Sequence, residues 1–364
     1  MQVCAGQSMN TQTSESPPIS IHHLRDFAAS LLQRGGFTRS QAEETADMLV
    51  WANARGVHTH GVMRIPSYFE TIRSGEVHPD AQMRVLRREG AVCVLEADRA
   101  PGATAMLEGV RVAARLADEQ GIGWCAVRQT AHAGAVGYFV ERLTRMGKAG
   151  IAMTASRPLM AYYGARGKAV STNPIAIGVP RPDGLPPIIL DMSTAAVPMG
   201  KIFAAREAGE PIPVGWGVDA NGADTTDPHG VVAVLPMAGP KGSGLALMIE
   251  ILCAVLVGNP NIAPILGGGK FNGFNGMMLA INPDAFGDGA GFLAHVEALA
   301  KAIHGLDPAP GVESVLLPGE RGHQAQRKSE TEGVRVPAAT VARLLQLAAE
   351  HAVPVPVEWA SLQA

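Results

Sequence analysis

Apolar positions recur at three- and four-residue spacing in the first part of the chain and in short runs through its middle. Ser20 is placed to cap a helix whose stripe is Leu24, Phe27, Leu31 and Leu32, with a stop at Gly35-Gly36. Thr38 and Gln41 form a capping box for a second helix, with Met48, Leu49 and Ala52 on its apolar side and an end near Gly56. Val57-His58-Thr59-His60-Gly61 then falls at a helix exit, where side chains can be aimed into a cleft, and residues 20–75 read as a small helical unit. From about residue 90 the pattern alternates: a strand at Ala91–Leu95, a helix at 104–119, a strand at Ile122–Val127, a helix at 135–146 and a strand at Ala149–Thr154. That order predicts α/β architecture. Residues 170–235 hold further strands and an Asn221-Gly222 turn, a hairpin signal. Leu245–Val257 reads as a buried helix despite Glu250, and is too short to span a bilayer. A flexible Gly267-Gly268-Gly269 segment, a strand ending at Asn282-Pro283 and helices at 291–304 and 337–351 follow, with no internal repeat.

The chain has 364 residues, 47% hydrophobic and 17% charged, which fits a globular protein of two or three domains. A net charge of −3 gives no reason to expect a nucleic-acid or membrane partner, and means that an anionic substrate must be captured by local cations. Cys4, Cys93, Cys125 and Cys253 share no motif spacing; Cys125 and Cys253 lie in apolar runs and read as core thiols, which suits a reducing cytoplasm. Residues 1–18 are polar without an apolar stretch, and read as a loose tail rather than a signal peptide.

No strand is followed by GxGxxG opening a helix, so a Rossmann fingerprint is absent. Gly287-Asp288-Gly289-Ala290-Gly291 comes nearest, but it follows Asn-Pro rather than a strand. His58 and His60 form an HxH; as metal ligands they lack a further Cys, His or Asp cluster to complete a site. The sharper pairing is His60 with Arg64, four residues on, with Tyr68 one turn further. A guanidinium that forks a carboxylate beside an imidazole that moves a proton is what a 2-oxo acid requires. His132, between a strand and a helix among small neighbours, is either a helix-capping loop residue or a ligand contact. Asp191 ends the apolar run Pro187–Leu190, as a helix cap, a ribose ligand or an orienter of histidine. Lys241, before the long apolar helix, suits a phosphate or is a solvated turn lysine.

Taken in order, Ala54-Arg55-Gly56-Val57-His58-Thr59-His60-Gly61 with Arg64, His132-Ala133-Gly134, Ser171-Thr172-Asn173-Pro174, Leu190-Asp191-Met192-Ser193-Thr194 with Gly200-Lys201, Thr225-Thr226-Asp227-Pro228, Gly239-Pro240-Lys241-Gly242 and Pro318-Gly319-Glu320 resemble the malate/lactate/ureidoglycolate dehydrogenase family, the type-2 group. The resemblance runs from about residue 20 to 350, and Ala238-Gly239-Pro240-Lys241-Gly242 looks closest to ureidoglycolate dehydrogenases. It implies a mixed-sheet cofactor domain that is not Rossmann, with a small helical N-terminal domain. It divides the chain into a tail at 1–18, a helical domain at 19–80 that packs with C-terminal helices from 290–350, a cofactor domain at 81–290 and a C-terminal segment at 291–364. It implies NAD or NADP as cofactor, a small anionic substrate, a homodimer, no metal, and a cytoplasmic setting. It implies catalysis by His60 and His132, and substrate binding by Thr59, Arg64 and Tyr68. Cofactor contacts would fall at Ser156, Asp191, Met192, Ser193, Lys241, Gly319, Glu320 and Arg321. The Thr59 position is often Ser in the family, and the glycine-rich 267–276 segment departs from it. The expected activity is interconversion of a 2-hydroxy acid and its 2-oxo acid. A cyclic imino acid reductase of the same family, or a metal-dependent hydrolase built on His58 and His60, are the alternatives.

Overall fold

A computed structural model describes residues 16–363. The loose tail expected at the start lies mostly outside the described residues, as does Cys4. Ser16 and Ile19 run beside 334–336, with the Ser16 amide 3.1 Å from the Val336 carbonyl.

Helix α1 (Ile21–Arg34) is capped by Ser20, whose hydroxyl accepts the His23 amide at 3.0 Å. Helix α2 (Arg39–Ala54) starts with the expected reciprocal box between Thr38 and Gln41. Two short 3-10 turns, His58–His60 and Val62–Arg64, lead into α3 (Ile65–Arg73). Strands β1 (Arg84–Glu89) and β2 (Val92–Glu96), helix α4 (Gly102–Gln120), strand β3 (Ile122–Thr130), helix α5 (Gly137–Arg145) and strand β4 (Ala149–Ala155) follow. Next are β5 (Met160–Ala161), β6 (Lys168–Val170), β7 (Ile175–Val179), β8 (Ile188–Met192), α6 (Met199–Ala208), β9 (Gly217–Val218) and β10 (Ala233–Val234). The chain continues through α7 (Pro240–Glu250), α8 (Ile262–Leu266), β11 (Phe274–Ile281), α9 (Gly289–His304), α10 (Glu320–Glu332) and α11 (Ala338–Glu350).

The main sheet has the order β1-β2-β3-β11-β4-β7-β8 and is mixed: β2 and β3 are parallel, and every other pair is antiparallel. A second sheet, β6-β5-β10-β9, carries the Asn221-Gly222 turn just after β9. Helices α4 and α5 cover one face of the main sheet, and α7 with the π-helical turns at 251–255 covers part of the other. This is an α/β fold with a helical start, as the sequence predicts. One continuous apolar core joins Leu24, Leu31 and Met48 of the first helices to Met106 and Leu116 of α4, Phe139 of α5 and Leu344 of α11.

Glu250, the one acid in the apolar helix, is explained by its second role. Its Oε1 accepts the amides of Asn261 and Ile262 at 2.8 and 3.0 Å, capping the start of α8. Asp288, within the Gly287–Gly291 string, caps α9 through the Ala290 amide at 3.0 Å, which is a structural use of that glycine-rich segment. Cys93, Cys125 and Cys253 are buried free thiols. Among the described residues no helix is long and apolar enough to cross a membrane.

Candidate active site

The exit from α2 is pinned by Asn53. Its Oδ1 accepts the Val62 amide at 2.7 Å, and its amide nitrogen lies 2.9 Å from His58 Nδ1. A side chain at Gly61 would meet Asn53 Oδ1 at 2.0 Å, so glycine is required for this close approach. His58 and His60 thus have different side-chain partners, Asn53 for the first and Thr59 for the second. Among the described residues there is no group of three or more His, Cys, Asp or Glu that could hold a metal ion.

His132 arrives from the β3–α5 loop. A side chain on Gly102, the first residue of α4, would meet the His132 carbonyl at 2.1 Å, so the helix start presses directly on that loop. The ring of His132 lies 5.8 Å from that of His60, nearly parallel at 17°. Each imidazole is held at Nδ1 by a hydroxyl: Tyr68 Oη sits 3.1 Å from Nδ1 of His132, and Thr59 Oγ1 sits 3.1 Å from Nδ1 of His60. That leaves Nε2 of each ring as the nitrogen that can exchange a proton. Arg64 donates Nε to the Thr59 carbonyl at 2.6 Å, which fixes the guanidinium and leaves its two terminal nitrogens as a fork.

Burial, then the Arg64 charge, lowers the pKa of His60 from 6.5 to about 4. Burial, Arg64 and His60 in that order push His132 well below its ordinary value. Burial raises Tyr68 to about 12, against an opposing pull from Arg64. All three groups are therefore neutral near pH 7, and both histidines stand in their base form. The linkage has a definite sign. The unfolded chain binds protons at these histidines from about pH 6.5 downward, while folded His60 holds out to about 4. Their neutral burial is harmless above the upper value and costs stability progressively below it. Melting temperature is expected to fall between about pH 7 and about pH 5, and to fall less in His60→Gln. An equal fall in both proteins would refute the assignment.

A cavity of about 310 Å³ opens beside this cluster, lined by Arg64 just ahead of α3, by Ser67, Tyr68 and Thr71 from one face of that helix, by Thr130–His132, and by Phe271, Gly273 and Phe274. Phe274 meets His132 edge-on at 6.0 Å. Thr59, His60, Arg64 and Tyr68 come from one short stretch of the sequence and His132 from a distant loop, and the fold brings the two together. It also places part of the glycine-rich 267–276 segment on the cavity wall.

The second group of expected residues collects around the ends of β4 and β8. The Ser156 amide donates to Asn173 Oδ1 at 3.3 Å, and its hydroxyl meets that of Ser171 at 2.5 Å. The Ser193 hydroxyl donates to the Thr172 carbonyl at 3.1 Å, and the buried Thr194 hydroxyl has no hydrogen-bond partner among the described residues. Asp191 accepts the Gly137 amide at 2.9 Å. Although open to solvent on one side, its carboxyl is raised by the surrounding chain, with the Gly137 amide and Arg55 opposing. Met192 ends β8, and the Ile189 amide of that strand donates to Pro318 O, which sets Gly319, Glu320 and Arg321 beside it at the start of α10. Lys241, exposed in the first turn of α7, lies near Thr194 through the Met237 amide, which donates to Thr194 O at 2.9 Å. Hydroxyls, a carboxylate, helix starts and two cations form a donor set that fits the riboses and phosphates of a dinucleotide. Glu320 fits less well through its side chain, since its carboxylate already accepts the Leu317 amide at 2.8 Å and pairs with His304.

Arg55, within the Ala54–Gly61 string, has a role that no local spacing in the sequence marks. Its guanidinium, 4% exposed, meets His323 Nδ1 at 2.8 Å, Gln326 Oε1 at 3.2 Å and Gly319 O at 3.2 Å, with Glu141 at 3.7 Å and the Trp51 ring below at 4.7 Å. It clips α10, and with it Gly319–Arg321, to the helix that leads into His58–Arg64.

The chain matches the malate/L-lactate dehydrogenase family over residues 19–345. It is 34% identical to a ureidoglycolate dehydrogenase (NAD(+)) of Escherichia coli over 324 residues, covering 87% of this chain and 92% of that one. It is 37% identical to a (2R)-3-sulfolactate dehydrogenase (NADP(+)) of Chromohalobacter salexigens, covering 90% and 96%. Its fold superposes on a putative malate/lactate dehydrogenase from E. coli with a TM-score of 0.86 at 28% identity, covering 95% and 98%.

Proposed function

Since the chain belongs to the malate/L-lactate dehydrogenase family, we propose that it oxidises a small 2-hydroxy acid, or reduces the matching 2-oxo acid, with NAD or NADP in the arrangement just described. The observation that carries this reading is the convergence of Arg64, Tyr68 and His132 on one cavity.

In this mechanism Arg64 grips the 2-carboxylate with the two nitrogens left free by its bond to Thr59. His132 Nε2 takes the proton of the C2 hydroxyl during oxidation and returns it during reduction. Tyr68, held neutral by its raised pKa, fixes the ring through Nδ1. His60 does not line the cavity; stacked beside His132 and neutral, it positions that ring and adds no repelling charge. When bound, the nicotinamide cofactor takes up or supplies the hydride at C2, so a hydride and a proton leave together as the 2-oxo acid forms. Ser156, Asp191, Met192, Ser193, Lys241, Gly319, Glu320 and Arg321 are the residues to hold it: hydroxyls and Asp191 on ribose, Lys241 and Arg321 on phosphates, and Gly319 and Glu320 through their backbone.

In this reading segment 19–80 brings Arg64 and Tyr68 to the substrate end, where His132 of segment 81–290 joins them, and segment 81–290 holds most of the cofactor contacts, with Gly319–Arg321 added from the C-terminal segment. We take the active form to be a cytoplasmic homodimer; the exposed apolar side chains Met248, Ile251, Val255 and Leu256 on α7 and the turns after it support burial against a second copy.

The decisive experiment is a spectrophotometric screen with both cofactors, offering ureidoglycolate, malate, lactate, sulfolactate and cyclic imino acids. Nicotinamide reduction with a 2-hydroxy acid is expected. Activity confined to cyclic imino acids would replace this reading, and no activity with any of them would end it. Arg64→Lys is expected to raise KM about 10–100-fold with a smaller change in kcat, because one point charge replaces a two-pronged contact. An unchanged KM would remove Arg64 from the carboxylate.

A further inference from the structure

Helix α3 runs along one wall of the cavity. Arg64 precedes its first residue, and Ser67, Tyr68 and Thr71 face the cavity at helical spacing. Glu76 and Val77 line the cavity beyond its last turn. Nine helical residues extend about 13 Å, so the cavity has two distinct ends. The proton-exchanging cluster occupies one. At the other stand Arg99 and Arg157.

Arg157 pairs with Glu76 at 2.9 Å and lies over the Phe271 ring at 4.6 Å. Arg99 differs. Among the described residues its guanidinium makes a single long bond, from Nη1 to the Gly75 carbonyl at 3.4 Å, and no ion pair. Its backbone is in the left-handed region at φ 61°, after Asp98 at φ 50°. Side chains other than glycine reach this region at a cost. The conformation is held by bonds on every side: the Arg99 amide to Gln129 O at 2.6 Å, the His78 amide to Arg99 O at 2.9 Å, and the Gln82 amide to Asp98 Oδ2 at 3.0 Å. Neither glycine nor asparagine occupies a position that favours both, and the residue present there carries a cation into the cavity. Three guanidiniums, Arg64, Arg99 and Arg157, face one carboxylate, Glu76, while His132 is neutral. The lining thus holds two uncompensated positive charges in a protein whose net charge is −3.

We propose that Arg99 reads a second acidic group on the substrate, so that the preferred substrates are dianions: 2-hydroxy and 2-oxo acids bearing a further carboxylate or sulfonate at the far end from C2. This rests on the placement of the 2-carboxylate at Arg64. Two negative charges on one small molecule balance the two positive charges of the lining. Arg157, already paired with Glu76, contributes less.

The test uses two changes at one position. Arg99→Gly removes the cation and suits the left-handed backbone, so the unliganded melting temperature is expected to hold or rise. Arg99→Lys keeps the charge. In the wild type, oxaloacetate and 3-sulfopyruvate are expected to be reduced with higher kcat/KM than the monoacid 2-oxobutanoate. Arg99→Gly should lower kcat/KM for the diacids about 10–100-fold more than for the monoacid, with Arg99→Lys between. Loss for only one of the two diacids identifies which acidic group is read. Binding is followed separately, by thermal shift in the presence of reduced cofactor, with oxamate and N-oxalylglycine. These unreactive acids share one head, and only the second carries another carboxylate. N-oxalylglycine should stabilise the wild type more than oxamate does, and Arg99→Gly should erase the difference. A diacid-to-monoacid ratio that Arg99→Gly leaves unchanged overturns the proposal while the 2-oxo acid reading stands. If neither compound binds and no 2-oxo acid is reduced, both fall.

Discussion

Replacing His132 with alanine is expected to slow turnover about 10²–10⁴-fold in both directions, the usual contribution of a positioned acid–base group. The variant should remain folded, because the loop is fixed by its backbone: Gly102 packs on the His132 carbonyl, and the neighbouring Ala131 and Ala133 are buried. The pH profile separates catalysis from a packing role. In the wild type a proton-free Nε2 favours oxidation, and in the free enzyme burial, then the Arg64 charge and His60, holds the imidazole pKa below its ordinary value. Rising pH should therefore preserve kcat/KM for the hydroxy acid and lower it for the oxo acid. His132→Ala should flatten both profiles. Tyr68→Phe should keep part of the activity, since it frees the ring without removing the base. A His132→Ala protein with near-normal turnover would leave the mechanism without its base.

The second large effect is expected at Arg55. Arg55→Ala should lower stability by about 3–5 kcal/mol, the range for removing one partner from a buried charged network. Truncation strands His323 Nδ1 and Gly319 O, both of which now face the guanidinium. The Trp51 indole still donates to Glu141 at 2.7 Å, so part of the carboxylate's solvation survives. The same change should raise the cofactor KM, because α10 is released from α2 while Gly319–Arg321 depend on that clip. Urea unfolding and a cofactor titration measure the two effects independently. A loss below about 1 kcal/mol, typical of surface sites, would show that the clip is dispensable.

Local signals were legible because their physics is local. Ser20 and the Thr38–Gln41 box bind amides three residues away, and the apolar runs of β3 and β4 mark themselves. Helix α10 left no trace of this kind. Its sequence is almost wholly polar, and His323 is its one buried residue, so no stripe exists to be read. Strand β1 is exposed at every position and gives no alternation. In the site, His60, Arg64 and Tyr68 share one short stretch, and their spacing implied a common face. Arg99 and Arg157 come from two other loops, and their meeting at the cavity depends on strand pairing that no local pattern encodes. The hydroxyl partner of His132 is likewise 64 residues away in sequence.

Strand β11 lies at the centre of the main sheet, between β3 and β4, although it is translated more than a hundred residues after either. Until the ribosome has released residues 274–281, β3 and β4 each present a bare hydrogen-bonding edge with nothing to fill the gap between them. Such edges invite pairing with other nascent chains, and so distant a closure makes folding slow. This protein must therefore wait for its late strand, and chaperone demand in the cell should peak just before that strand emerges.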